Sequence, residues 1–283
     1  MRARGRIRLV PRHLGLLSIA RGAGFSILLL LTLMTLWPGL FAGSDPLQTQ
    51  PEARLQGPSR EHIFGTDYLG RDIFARVVYG ARISLVPALI VVLLSAMVGS
   101  LLGLVAGYVG GVTDEIVMRV TDVFLAIPAL ILAIAIATAL GPTILHAAIA
   151  VVVVWWPGFA RLARSEAQVL RTLEYVSAAQ ASGAGRPRIL LVHVLPNMLA
   201  SLIVKMSLDA GTVLLLLAAL SFLGLGPQAP SPEWGLEVGT SRLYMFDSPW
   251  YTFSSGIAIF LAVYSLNLVG DSIRERFDPR LRV

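Results

Sequence analysis

The sequence has no cysteine, which excludes disulfides, thiol catalysis and Cys-ligated metals. It has one lysine, Lys205, set between Val204 and Met206 in an apolar run. A phosphate-cradling G-x-x-x-x-G-K-[ST] loop needs its lysine behind a glycine turn, so no ATP site of that kind is built into this chain. The four histidines, His13, His62, His146 and His193, are scattered without ligand spacing. Neither H-E-x-x-H nor G-x-S-x-G occurs, and no catalytic or metal centre is legible. Charge is scarce as well, at 14% of residues against 55% hydrophobic, with a mean hydropathy of +0.73. Such a balance lies outside the soluble range and places the chain in a bilayer. The formal charge of +6 comes from arginines that flank apolar runs. They do not form an aromatic-interleaved stripe, so nucleic acid is not expected as a partner.

The apolar runs set the organisation. Residues 22–42 form the first, long enough to span about 30 Å of hydrocarbon and longer than the roughly 7–15 residues of a signal-peptide core. A second charge-free stretch begins at Ile83 and predicts a helix ending near Tyr108, before the turn signal Gly110-Gly111. Residues 123–160 lack Asp, Glu, Lys and Arg and hold Gly141-Pro142 near their middle, which predicts two short spans with a turn between them. Further spans are expected over about 198–225 and 252–270. Six crossings put both termini on one side. Sixteen arginines then fall on the terminal side and six on the other, so the positive-inside rule makes both termini cytoplasmic. No internal repeat or low-complexity linker divides the chain.

Ionisable residues inside spans are rare enough to be weighed one by one. Lys205 and Asp209 stand four apart in the fifth span and share a helical face. Each charge alone would cost about 2.5–3.5 kcal/mol at mid-bilayer. A self-neutralising pair inside the bundle is the plain reading, and lining of a solute path is the functional one. His146 is expected in a loop near the outer surface.

The longest polar connection, residues 161–197, is too long for a turn. Glu174 to Ala181 is rich in helix formers, Gly183 and Gly185 break it, and Arg188 to Val194 can resume a helix before Pro196 ends the loop. Ala178-Ala179, then Gly183, then Leu195-Pro196 resemble the EAA motif of the membrane subunits of binding-protein-dependent ABC importers. Ser177 stands where that motif has its first Glu, His193 replaces the usual Ile, and Glu174 offers an acid one turn earlier. Three more stretches resemble the peptide and nickel branch of that family. They are HIFGTDYLGRDIFARVVYGARISL from His62, SFLGLGPQAPSPEWG from Ser221 and NLVGDSIRERFDPRL from Asn267. The resemblance runs in order from about residue 61 to the end.

That resemblance implies an all-α type I ABC importer permease fold with six transmembrane helices. Its parts are a cytoplasmic arm (1–21), a first span (22–42), an outer loop (43–82), a permease core with five spans (83–270, with the coupling loop at 161–197) and a cytoplasmic tail (271–283). It also implies a bacterial inner-membrane location, a second homologous permease subunit, two ABC ATPase subunits that hold the ATP and magnesium, and an external solute-binding protein. The residues expected to dock on the ATPase are Glu174, Tyr175, Ser177, Ala178, Ala179, Ser182, Gly183, Ala184, His193, Leu195 and Pro196. Dipeptides or oligopeptides are the implied cargo, with nickel chelates or glutathione as alternatives and an ion-coupled carrier as the rival class. By their residues alone, Gly65-Thr66-Asp67 and Gly70-Arg71-Asp72 read as a turn scaffold, Trp234 as an interfacial aromatic, and Gly99, Gly103 and Gly107 as a packing stripe.

Overall fold

The computed structural model describes residues 12–277. Arg2, Arg4, Arg6 and Arg8 of the arm and residues 278–283 of the tail lie outside them. The described residues are mainly helical and include no strand. Its elements are α1 (Arg12–Leu36), α2 (Ile73–Val109), α3 (Gly111–Ala126), α4 (Ala129–Leu140), α5 (Ile144–Leu170), α6 (Glu174–Ala181), α7 (Leu195–Phe222), α8 (Trp234–Ser241) and α9 (Pro249–Phe277). Among the described residues four helices are long and apolar enough to cross a membrane: α2, α5, the run 186–222 that contains α7, and α9; the apolar part of α1, Arg21–Leu36, is shorter. The bent pair α3 and α4 makes a fifth if it counts as one crossing.

Several boundaries differ from the sequence expectation, each for a local reason. Helix α1 stops at Leu36, short of Ala42, because Trp37 precedes Pro38 and is pushed to φ −132° and ψ 64°. Helix α2 starts at Ile73 instead of 83, where the Asp72 carboxylate accepts the Ala75 N–H at 2.8 Å and caps it. The third apolar run does not begin at Val123. The charged segment from Asp114 to Asp122 is already helical in α3, and the break comes at Ile127-Pro128, where Ile127 is extended ahead of the proline. Across that break α3 and α4 bend by 91°. Gly141, at φ +96°, ends α4. His146 then lies in the first turn of α5 and not in a loop, its N–H bonded to the capping Thr143 hydroxyl at 3.1 Å. Helix α5 continues to Leu170, so Arg161 and Arg164 are helical and pair with Asp122 and Asp114 of α3 at 2.7 and 2.5 Å.

The glycine stripe sets the central packing. A Cβ on Gly99 would stand 2.2 Å from the Trp156 carbonyl oxygen, one on Gly103 2.1 Å from that of Ala160, and one on Gly107 2.4 Å from that of Arg164. Helices α2 and α5 therefore run parallel with their backbones in contact, an approach only glycine permits. Gly103→Leu is expected to lower stability by about 1–3 kcal/mol, read as a lower unfolding temperature in detergent. Gly22→Ala, whose new methyl meets nothing within 4 Å, should leave it unchanged.

At one end of the bundle, residues 43–72 and 223–248 form a cap built on a buried charge cluster. Asp67 is fully buried and accepts from the Arg71 N–H and Nε at 2.9 and 2.6 Å and from the Leu69 N–H at 2.8 Å. Gly70, at φ +76°, lets the turn close against the Gln50 backbone. Asp72 also meets His62 Nδ1 at 2.9 Å. Arg76 reaches across to Glu237 of α8 at 2.5 Å and donates to the carbonyls of Pro46, Pro230 and Ser231. Burial raises the Glu233 carboxyl above its ordinary value, opposed by hydrogen bonds that include the Leu236 N–H at 2.7 Å and the Ser84 hydroxyl at 3.2 Å. Trp234 is not interfacial. It is fully buried against Gly80, and its Nε1 donates to the Val77 carbonyl at 2.9 Å.

Candidate functional site

The segment between α5 and α7 lies at the bundle end opposite the cap, where α2 also terminates. Helix α6 is held by a narrow stripe. Val176 is fully buried and Ala179 partly so, whereas Glu174, Tyr175, Ser177, Ala178 and Ser182 are exposed. Glu174 occupies the first turn of α6, where its charge complements the helix dipole. Ser177 caps nothing and leaves its side chain outward. The Gln180 side-chain amide donates to the Tyr108 hydroxyl at 3.0 Å, tying α6 to the end of α2.

Helix α6 ends in a left-handed glycine turn. The Gly183 N–H donates to the Gln180 carbonyl at 2.9 Å and the Ala184 N–H to that of Ala179 at 3.1 Å. These two bonds define the Schellman arrangement, with Ala179 and Ala184 both packed on the core. Gly183 sits at φ +80°, so the spacing from Ala178-Ala179 to Gly183 has a backbone cause. Gly185 differs: its φ of −68° and ψ of 153° suit any residue. The two glycines are not equivalent breaks.

After Gly185 the chain turns helical again at Arg186 and runs unbroken to Phe222. Pro196 therefore does not end the loop but lies inside a continuous rod. A proline there has no N–H to donate and crowds the carbonyl of Val192. The strain is relieved by a π-helical stretch, Ile189–Val194, immediately before it. His193 lies in that stretch, and its carbonyl accepts from the Asn197 side chain at 2.6 Å and from the Tyr175 hydroxyl at 3.4 Å. Leu195 is half-buried and Pro196 exposed. The eleven expected docking residues thus come together on one protrusion. Its exposed members face away from the bundle, while Ala179, Ala184, His193 and Leu195 are partly covered and hold it in place.

The second site is inside the bundle. Lys205 Nζ of α7 stands 3.0 Å from Asp209 Oδ2 and 3.3 Å from Oδ1. The pair packs against α5. Trp155 Nε1 donates to Asp209 Oδ2 at 2.9 Å, and Lys205 Nζ lies 5.0 Å from the Phe159 ring centre. The side chains remain 28% and 16% exposed, so the chain's own helices leave this face open. Ser201 donates to Glu166 of α5 at 2.8 Å, one turn earlier on the same face. Neither Trp155 nor Glu166 is singled out by the sequence. The Trp156-Pro157 step hides which tryptophan faces α7, and Glu166 reads as a loop residue once α5 is ended too early.

Residues 99–283 match the family described as Binding-protein-dependent transport system inner membrane component. The dipeptide transport system permease protein DppC of Alkalihalophilus pseudofirmus is 44% identical over 92% of this chain and 85% of its own length. The probable D,D-dipeptide transport system permease protein DdpC of Escherichia coli is also 44% identical, over 90% and 85%. The glutathione transport system permease protein GsiD of Pectobacterium atrosepticum is 40% identical over 93% and 88%. Among solved structures, the inward-facing MetNI methionine ABC transporter aligns with a TM-score of 0.58 at 16% identity. The alignment covers 72% of this chain and 96% of that one, a likeness in type I permease fold.

Proposed function

This chain belongs to the binding-protein-dependent transport system inner membrane components, the permease subunits of ABC importers, and from that premise we propose that it moves peptides by coupling an ATPase to alternating access. The observation that carries this reading is the α6 protrusion. A short helix with an exposed face, closed by a left-handed glycine and continuous through Arg186 with a membrane-length rod, is suited to pass a push from a partner to α7. In this reading two ATPase subunits hold the ATP and magnesium and grip one such protrusion on each of two homologous permease subunits. An external solute-binding protein delivers cargo to the cap.

In this reading the bundle has six crossings, counting the shorter apolar helix α1 and the α3–α4 pair as one each. The arginine excess on the terminal side then makes the α6 end and both termini cytoplasmic and turns the cap outward. The chain itself performs no hydrolysis. Glu174, Tyr175, Ser177, Ala178 and Ser182 contact the ATPase, and Glu174 supplies the acid that Ser177 lacks. Lys205 and Asp209 line the solute path between the permease subunits. Dipeptides or oligopeptides are the cargo, and glutathione, itself a short peptide, is the second reading.

Co-expression with the ATPase subunits of the same importer tests the coupling role. The chain should retain them through detergent purification. Glu174→Arg should weaken that retention by about tenfold, because a reversed charge in a docked helix turn loses its pairing and meets repulsion. Equal retention by both chains would remove α6 as the docking element.

A further inference from the structure

We infer that Lys205 and Asp209 form an exchange site for the two charged ends of a peptide, midway along the solute path. At about 1.5 Å per residue the two lie roughly 15 and 21 Å from Leu195, near the middle of a 28-residue helix. They belong to a polar line of Asn197, Ser201, Lys205, Asp209 and Thr212, all on one side of α7 and none fully buried. A face bearing two ionised groups at mid-membrane belongs against water or protein and not lipid.

The pair is also undersaturated. A lysine ammonium has three donors, and among the described residues Lys205 hydrogen-bonds to Asp209 alone, with the Phe159 ring 5.0 Å away on one side. Asp209 Oδ2 accepts from Trp155 as well as from Lys205, while Oδ1 accepts from Lys205 alone at 3.3 Å. Fixed by Trp155 on one side, the pair presents one free cationic and one free anionic position toward the open face. A peptide at neutral pH carries one ammonium and one carboxylate, and an apolar path gives neither a partner. Here the peptide carboxylate takes up the open donors of Lys205 and the peptide ammonium the open Oδ1 of Asp209. The internal pair closes again when the peptide leaves, so the site solvates cargo without trapping it.

This inference rests on the peptide-importer reading, and the test separates the two. The complete importer, with its ATPase subunits and binding protein, is reconstituted in liposomes and supplied with radiolabelled dialanine. The neutral double variant Lys205→Gln/Asp209→Asn removes both charges without stranding either. Dialanine uptake per ATP hydrolysed should fall by at least about tenfold. Undiminished uptake per ATP would overturn the exchange site and leave the importer intact. Failure of the wild-type complex to take up dialanine would instead strike the peptide reading.

The natural absence of cysteine in this chain gives a second measurement that does not depend on the double variant assembling. Thr212→Cys, on the same face and exposed, should react with a charged, membrane-impermeant maleimide in the vanadate-trapped complex. Dialanine should slow that reaction. No labelling, or labelling that dialanine leaves unchanged, would overturn the proposal.

Discussion

Arg76→Met lowers the stability of the assembled permease by about 3–5 kcal/mol, the loss typical when one partner of a buried ion pair is removed. Arg76 is 1% exposed and joins three parts of the cap to α2, bonding to Glu237 on α8 and to the carbonyls of Pro46 and of the adjacent Pro230 and Ser231. Its loss strands Glu237, whose Oε2 already has no hydrogen-bond partner among the described residues. Asp67 is affected less, since Arg71 still holds it at 2.6 Å. The double variant Arg76→Met/Glu237→Met should recover part of the loss because no bare carboxylate remains. Recovery is incomplete, since three backbone carbonyls still lack their donor. Arg119→Met supplies the contrast: its pair with Glu115 is 3.8 Å long and the Arg119 side chain is 79% exposed, worth under about 1 kcal/mol. Thermal unfolding of the purified complex ranks the three, and equal shifts for Arg76→Met and Arg119→Met would contradict the cap's role.

Gly183→Val reduces uptake by about tenfold or more with insertion and assembly of the membrane bundle unchanged. The cause is conformational. A Cβ on Gly183 meets nothing within 4 Å, yet its φ of +80° is one that a β-branched residue rarely adopts. Holding valine there costs about 1–3 kcal/mol, enough to favour unwinding of an eight-residue helix held by Val176, Ala179 and two side-chain hydrogen bonds, from Gln180 and Tyr175. Three substitutions separate backbone strain from crowding by the ATPase. Asparagine tolerates the left-handed region, so Gly183→Asn should retain much of the uptake. Gly185→Val, at φ −68°, should be nearly silent. If Gly183→Asn is as damaging as Gly183→Val, close approach of a partner is the reason and not the turn.

Apolar runs and turn residues announced the all-helical bundle, and the glycine stripe marked the packing face of α2, though not that α5 fills it. Boundaries were harder where charge and helix coincide. Asp114, Arg161 and Arg164 read as loop residues because single charges suggest water, but in the fold Asp114 pairs with Arg164, and Arg161 with Asp122, between α3 and α5. Pro196 misled for the opposite reason: a proline signals a break, and a π-helical stretch absorbed it. Trp234 followed a real tendency of tryptophan toward interfaces, which Gly80 overrides by opening a slot for its ring. Of the candidate site, the Lys205–Asp209 pair was legible from spacing along one helix. The Trp155 that fixes it was not, since contacts between helices leave no such period in the sequence.

On the proposed function this chain is half of a peptide path driven by an external ATPase. The most direct measurement is dipeptide uptake into liposomes holding the chain with its permease partner and ATPase subunits, with and without ATP and the loaded binding protein. Uptake should require both, and Gly183→Val should diminish it. Uptake by the chain alone, driven by a proton or sodium gradient without ATP, would contradict it.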